Sequence, residues 1–214
     1  MNEIIKLIIF IILSYLLGSV MFSILIPKWL YKIDVTVNSN DHNPGSSSVF
    51  KNCGVQMGLL CLCLDLLKGY IPVLVGMLLF DNTNPLFGFI IIAPVVGHVF
   101  PVLNGFKGGK GIATSFGVLL GLLPNYFMVF VLAFYYLLFS LIIKIYPIRK
   151  RSIITFLLFG ISSFVISLFL DQIVIALACL FIGILCALKH TKYLSFVSED
   201  EQTEKSASLW CLFL

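Results

Sequence analysis

The chain has 214 residues, of which 60% are hydrophobic and only 11% charged, and its mean hydropathy is +1.08. A soluble chain carries about 25% charged residues, so this one lacks the charge to coat a water-facing surface, which argues against a nucleic-acid-binding module, a secreted disulfide scaffold or a disordered regulator. The expected fold class is an all-α polytopic membrane protein, and the excess of 14 Lys and Arg over 10 Asp and Glu is read by position, as a signal of orientation.

A helix needs roughly 20 apolar residues to cross the hydrocarbon core. The first such segment covers residues 4–26. It is too long for a signal-peptide core and no small-x-small cleavage site leads into a polar mature domain, so it is expected to be retained. Further spans are predicted at 58–80, 85–103, 126–146, 153–170 and 173–188, while the short apolar stretch at 112–123 is ambiguous by length alone. Charge decides it. With seven crossings and the N-terminus outside, every Lys and Arg except Lys6 and Lys68 falls on or beside the cytoplasmic side, whereas the external turns Asp81-Asn82-Thr83-Asn84 and Asp171-Gln172 carry none. Removing the short span would place Arg149-Lys150-Arg151 outside, against the positive-inside rule. The expected layout is one seven-helix domain over residues 1–190, with cytoplasmic loops at about 27–52, 104–111 and 147–152, and a cytoplasmic tail over 191–214. The apolar end of that tail is too short to span.

Chemistry is therefore expected in the cytoplasmic segments. Phe106-Lys107-Gly108-Gly109-Lys110-Gly111 is the sharpest feature. Its glycines let backbone N–H groups converge on an anion, the helix that follows adds donors and a positive dipole, and two lysines add formal charge. That is a phosphate cradle, though without the spacing of a nucleotide P-loop; a basic loop lying beside anionic lipid would need only the lysines. The first loop carries Asp41-His42-Asn43-Pro44-Gly45-Ser46-Ser47-Ser48-Val49-Phe50-Lys51, whose hydroxyls, amide and cation suit a small phosphorylated ligand and equally suit a turn.

Asp65 and Lys68 stand one helical turn apart inside a span. They are expected to face the bundle interior, either supporting the cytoplasmic site or neutralising each other. His98, between Pro94 and Pro101, reads first as a hydrogen-bonded structural histidine; His190, beside Lys189 and Lys192, either touches a phosphate or sits at the membrane interface. The six cysteines show neither a C-x-x-C pair nor a histidine at metal spacing, and no G-x-S-x-G elbow is present, so no metal, cofactor or serine-hydrolase chemistry is expected.

Two stretches resemble a known family closely. They are Leu64-Asp65-Leu66-Leu67-Lys68-Gly69-Tyr70-Ile71-Pro72-Val73, and Gly97-His98-Val99-Phe100-Pro101 through Phe106-Lys107-Gly108-Gly109-Lys110-Gly111-Ile112-Ala113-Thr114-Ser115. The family is that of the bacterial membrane-bound acyl-phosphate:glycerol-3-phosphate acyltransferases, the PlsY type. The resemblance implies a seven-helix protein of the bacterial cell membrane with a cytoplasmic active site. Its activity would be transfer of a fatty acyl group from acyl phosphate to the 1-hydroxyl of glycerol 3-phosphate, the first acylation of phospholipid synthesis. The family's first loop, S-G-N-x-G-A-T-N-V-x-R, lays over residues 41–51: Asn43 and Gly45 are kept, Lys51 replaces an arginine, and Ser48 replaces an asparagine. Where the family reads R-H-R-E-N, this chain has Lys189-His190-Thr191-Lys192-Tyr193.

On this reading His190, Ser47 and Lys110 are catalytic, and Asn43, Gly45, Ser46, Ser48, Lys51, Lys68, His98, Lys107, Gly108, Gly109 and Gly111 bind substrate. The expected partners are acyl phosphate, glycerol 3-phosphate and membrane lipid, with no nucleic acid. A relative that binds acyl phosphate or a phosphorylated metabolite without turnover, or that uses another acceptor, is the rival reading.

Overall fold

The structure is a computed structural model and describes residues 2–36 and 44–191. Among the described residues it contains helices and no strands. In chain order these are α1 (Glu3–Gly18), α2 (Phe22–Tyr31), α3 (Ser46–Cys53), α4 (Val55–Leu79), α5 (Phe87–Val99), α6 (Ile112–Gly121), α7 (Met128–Leu137), α8 (Ile148–Phe169) and α9 (Ile173–Thr191). A 3₁₀ turn, Val102–Asn104, follows α5, and a π-helical turn, Leu138–Ile142, extends α7.

α4, α8, α9 and α5 with its 3₁₀ turn are long and apolar enough to cross a bilayer; α1 and α2 together make a fifth candidate span, bent by 45°. The uninterrupted span expected at residues 4–26 is thus broken. Ser19 donates both its N–H and its hydroxyl to the Tyr15 carbonyl, and the chain re-enters a helix only at Phe22. α6 and α7 are shorter apolar helices. Both described ends of the loop expected at 27–52 are helical, since α2 runs on to Tyr31 and the serine run opens α3. Residues 148–152, expected as loop, form the first turn of α8.

Apolar side chains cover the outside of the bundle, as a hydrocarbon solvent requires: Phe130, Phe134 and Leu137 of α7 are all exposed, as are Phe89 and Phe169. With lipid outside, helix association depends on close packing, and small residues provide it. α4 packs on α6, α8 on α9 and α1 on α5. A Cβ at Gly117 would overlap the Leu66 carbonyl, and one at Gly183 would stand 2.6 Å from the Phe156 oxygen. These contacts fix the heights of α6 and α9 against their neighbours. They bring the N-termini of α4, α6 and α8 and the C-termini of α5 and α9 to one polar end of the bundle.

Candidate active site

The polar end is organised around α4. Near its start, Phe50 of α3 covers Gly58, where a Cβ would collide with the ring, and Val49 packs with Met57, Cys61 and Val35. α3 is thereby pinned as a short amphipathic helix, with Ser48 turned inward and Ser47 and Lys51 exposed. Gly45, extended at φ −125°, precedes its first turn, which Ser46 opens. Asn43 lies outside the described residues, as do Asp41, His42, Lys192 and Tyr193.

Two turns further along α4, Asp65 is 1% exposed and Lys68 2%. Their charges pair at 2.8 Å. Ser23 of α2 donates its hydroxyl to the other carboxylate oxygen at 2.9 Å, and Lys68 donates to the Val20 carbonyl at 2.7 Å. The break between α1 and α2 thus has a use: it turns a backbone carbonyl inward to receive the ammonium. Lys68 had been expected to contact substrate. Its ammonium is instead committed to Asp65 and Val20 and lies against the Phe22 ring, 5.8 Å from its centroid.

His98 is the next link. Its Nδ1 lies 3.9 Å from Asp65, and its opposite edge faces Gly109, where a Cβ would overlap Nε2. The His98 carbonyl, one of the last of α5 and therefore lacking a helical partner, accepts the Gly109 N–H at 3.1 Å. This corrects the expectation that the Gly108 and Gly109 amides together face an anion. Gly109 is spent on closing α5, and Gly108 is pressed so tightly on the His98 and Val99 carbonyls that no side chain fits. The Val99 carbonyl accepts the Lys189 ammonium at 2.9 Å.

The loop leading into this seat is shaped by Gly105 and Phe106, both in the left-handed region at φ 59° and 61°, and by Asn104, whose amide donates to the Lys107 carbonyl at 2.6 Å. Lys107 is exposed and Lys110 half-buried at the rim. Gly111, at φ 83°, starts α6. That helix has no side-chain cap, so its first amides, among them Ile112, Ala113 and Thr114, have no intrahelical partner. A Cβ at Gly111 would stand 3.0 Å from the Cys186 sulfur, which places the loop one turn from His190. His190 is buried, its ring stacked on Phe156 with centroids 6.2 Å apart.

Two sequence-predicted segments therefore meet at one end of the bundle, the glycine loop with the start of α6 and the end of α9, while α3 is held on α4 two turns before Asp65. Sequence reasoning missed Ser23 and the Val20 carbonyl, which the buried pair Asp65 and Lys68 required but did not name.

A sequence profile of the family described as Glycerol-3-phosphate acyltransferase matches residues 8–197. The chain belongs to this family. It is 38% identical to a glycerol-3-phosphate acyltransferase of Streptococcus agalactiae over 129 residues, 60% of each chain. It is 42% identical to one from Exiguobacterium sibiricum over 123 residues, 58% of each. The aligned stretch thus spans about three-fifths of the length of these curated relatives. The fold resembles the crystal structure of PlsY (YgiH), an integral membrane glycerol 3-phosphate acyltransferase, in its glycerol 3-phosphate form. That match has a TM-score of 0.75 and 28% identity, and covers 89% of this chain and 90% of the other. The lysophosphatidic acid form matches at 0.72 and 29%.

Proposed function

We propose that this protein transfers a fatty acyl group from acyl phosphate to the 1-hydroxyl of glycerol 3-phosphate, releasing phosphate and lysophosphatidic acid for phospholipid synthesis. The observation that carries the reading is the seating of the glycine loop. A buried ion pair and His98 hold Gly108 and Gly109 rigidly beneath the uncapped start of α6, with Lys107 and Lys110 at the rim. Family membership supplies the substrates.

An acyl phosphate is already activated, so no acyl-enzyme is required and the main task is positioning. The amides of α6 and the Lys110 ammonium hold one phosphate and stabilise the charge that grows on it as the acyl–oxygen bond breaks. Ser46, Ser47, Ser48, Asn43 and Lys51 orient the acceptor. Its hydroxyl attacks the acyl carbonyl, and the proton passes to His190 or to a substrate phosphate oxygen. Asp65, Lys68 and His98 position the loop without contacting substrate. The acyl tail lies among the helices, in contact with lipid. The chain crosses the bacterial cell membrane seven times, α6 and α7 included, with its N-terminus outside and this polar end in the cytoplasm; the distribution of lysines and arginines supports that orientation.

The test is phosphate release by lipid-reconstituted protein given palmitoyl phosphate, with and without glycerol 3-phosphate. Acceptor-dependent release should fall by about 10²–10³-fold in Lys110→Ala, the usual loss on removing one transition-state donor. Folded wild-type protein releasing no phosphate in response to the acceptor would overturn the reading and favour a binding protein or another acceptor.

A further inference from the structure

Lys189 entered the sequence reading only as a cation beside His190. In the structure it is 8% exposed, and its ammonium reaches across to the end of α5, where the Val99 carbonyl accepts it at 2.9 Å. It also lies over the Phe100 ring, 5.1 Å from the centroid. An ammonium is costly to bury unless polar groups receive it, so its seat calls for a reason.

Val99 is the last residue of α5, and a helix leaves its final carbonyls without intrahelical donors. Here three consecutive carbonyls are met from three different segments. His98 accepts the Gly109 N–H of the glycine loop at 3.1 Å, Val99 accepts Lys189 of α9, and Phe100 accepts the hydroxyl of Tyr15 of α1 at 2.8 Å. A cation at this end also meets the negative pole of the helix. The donors sit on elements with little freedom to shift. A Cβ at Gly97 would overlap the Tyr15 carbonyl and stand 2.9 Å from the Ser19 nitrogen, so α1 is already at closest approach to α5. α9 is seated on α8 through Gly183 and Gly160, and its Cys186 lies against Gly111. His190, the residue after Lys189, stacks on Phe156 of α8.

A water molecule would satisfy the Val99 carbonyl as a hydrogen-bond donor. A lysine on α9 does one thing more, because it ties the turn that carries His190 to the carbonyl next to the one that holds Gly109. Tyr15 ties in α1 at the following carbonyl, although α1 supplies none of the groups assigned to substrate.

We propose that Lys189 and Tyr15 are positioning residues: by capping neighbouring carbonyls of α5 they hold His190 and the glycine loop at one height across the site, and neither contacts substrate. The inference rests on the acyl-transfer reading and deepens it, since it assigns the lysine next to His190 to a helix end instead of to a phosphate.

The experiment measures kcat and KM for palmitoyl phosphate and glycerol 3-phosphate in lipid-reconstituted Lys189→Met, Lys189→Arg and Tyr15→Phe, with thermal unfolding and amide hydrogen exchange followed on the same proteins. Lys189→Met should lower kcat by about 10–100-fold, the scale of a misplacement of about 1 Å, and leave both KM values within about twofold. Lys189→Arg, which keeps a charged donor, should recover most of the loss. Tyr15→Phe should lower kcat several-fold, again with both KM values unchanged. A rise of about tenfold in either KM in Lys189→Met, with kcat retained, would mean that the ammonium binds substrate and would overturn the proposal. So would wild-type kcat in folded Lys189→Met, even at a lower unfolding temperature, since the cap would then serve stability alone. If that variant fails to fold, an unchanged kcat in Tyr15→Phe overturns the proposal instead. Should wild-type protein show no acyl transfer, the acyl-transfer reading fails on its own account and hydrogen exchange decides the junction. Faster exchange of the Gly109 amide in Lys189→Met and Tyr15→Phe, with protection restored in Lys189→Arg, supports it; protection equal to wild type in both refutes it.

Discussion

Gly109→Ala isolates the seat of the glycine loop from its charge. A methyl at Gly109 would overlap His98 Nε2 and stand 3.0 and 3.2 Å from Cε1 and Cδ2, against an optimum near 3.5–4.0 Å. The imidazole has little room to retreat. It is 4% exposed, and Asp65 behind it is fixed by Lys68 at 2.8 Å and Ser23 at 2.9 Å. The loop must therefore lift by about 1 Å, an overpacking that costs about 1–3 kcal/mol of stability. A misplacement of that size costs about 100-fold in rate, equivalent to about 2.7 kcal/mol of activation free energy. Gly105→Ala is the control, because it keeps a left-handed φ of 59° but meets nothing within 4 Å. It should cost roughly 1–2 kcal/mol of backbone strain and leave turnover within about twofold. Phosphate release and thermal unfolding in detergent read the two effects. Wild-type turnover in folded Gly109→Ala, or an equal loss in Gly105→Ala, would refute the claim that His98 sets the height of the loop.

The buried pair should show the asymmetry of a charge stripped of its partner: Lys68→Met destabilises by about 3–5 kcal/mol, and adding Asp65→Asn restores much of the loss in thermal unfolding. Lys51→Arg should keep or lower KM for glycerol 3-phosphate, because the exposed lysine on α3 can then be replaced by a bidentate fork, while Lys51→Ala raises it; initial rates against acceptor concentration decide. Gly183→Leu should separate α8 from α9, since even a Cβ there would stand 2.8 Å from the Gly160 Cα. It should lower the unfolding temperature and displace His190 two turns on, reducing turnover as well. Asp81, in the turn before α5, accepts the N–H and hydroxyl of Thr83 at 2.9 and 2.8 Å, which holds its carboxyl below the usual range. A carboxylate with a depressed folded pKa adds stability above its unfolded value of about 4, and that contribution disappears as pH falls through the folded value. Thr83→Ala should therefore unfold at lower temperature than wild type near neutrality, with the two curves meeting in acid.

The residues that supply charge were legible from sequence, and the direction in which they point was not. Lysines flanking two glycines suggested an anion site, with a lipid-facing basic loop as the alternative. Which amides serve it depends on α5, whose last carbonyls claim Gly109 once the helix ends at Val99. Lys68 was visible as a costly intramembrane cation, but its partner at Val20 is created by a break in an otherwise unbroken apolar run, and only the tertiary structure makes that break favourable. α3 was hidden for the opposite reason. Its serines read as a turn, and its helix depends on Val49 and Phe50 finding Met57 and Gly58 on α4.

These misreadings share one physical origin, because each concerns a group whose role is set by a partner far away in sequence. The partners join into one axis, running from the Val20 carbonyl through Lys68 and Asp65 to His98 and ending at the amide and Cα of Gly109. Every charged group on it is neutralised inside the bundle, so none competes for substrate. What the axis delivers at its upper end is a fixed backbone, against which the exposed cations Lys107 and Lys51 can work. An enzyme whose substrate is already activated has most to gain from that arrangement, since the barrier it must lower is chiefly one of bringing two anions together in register.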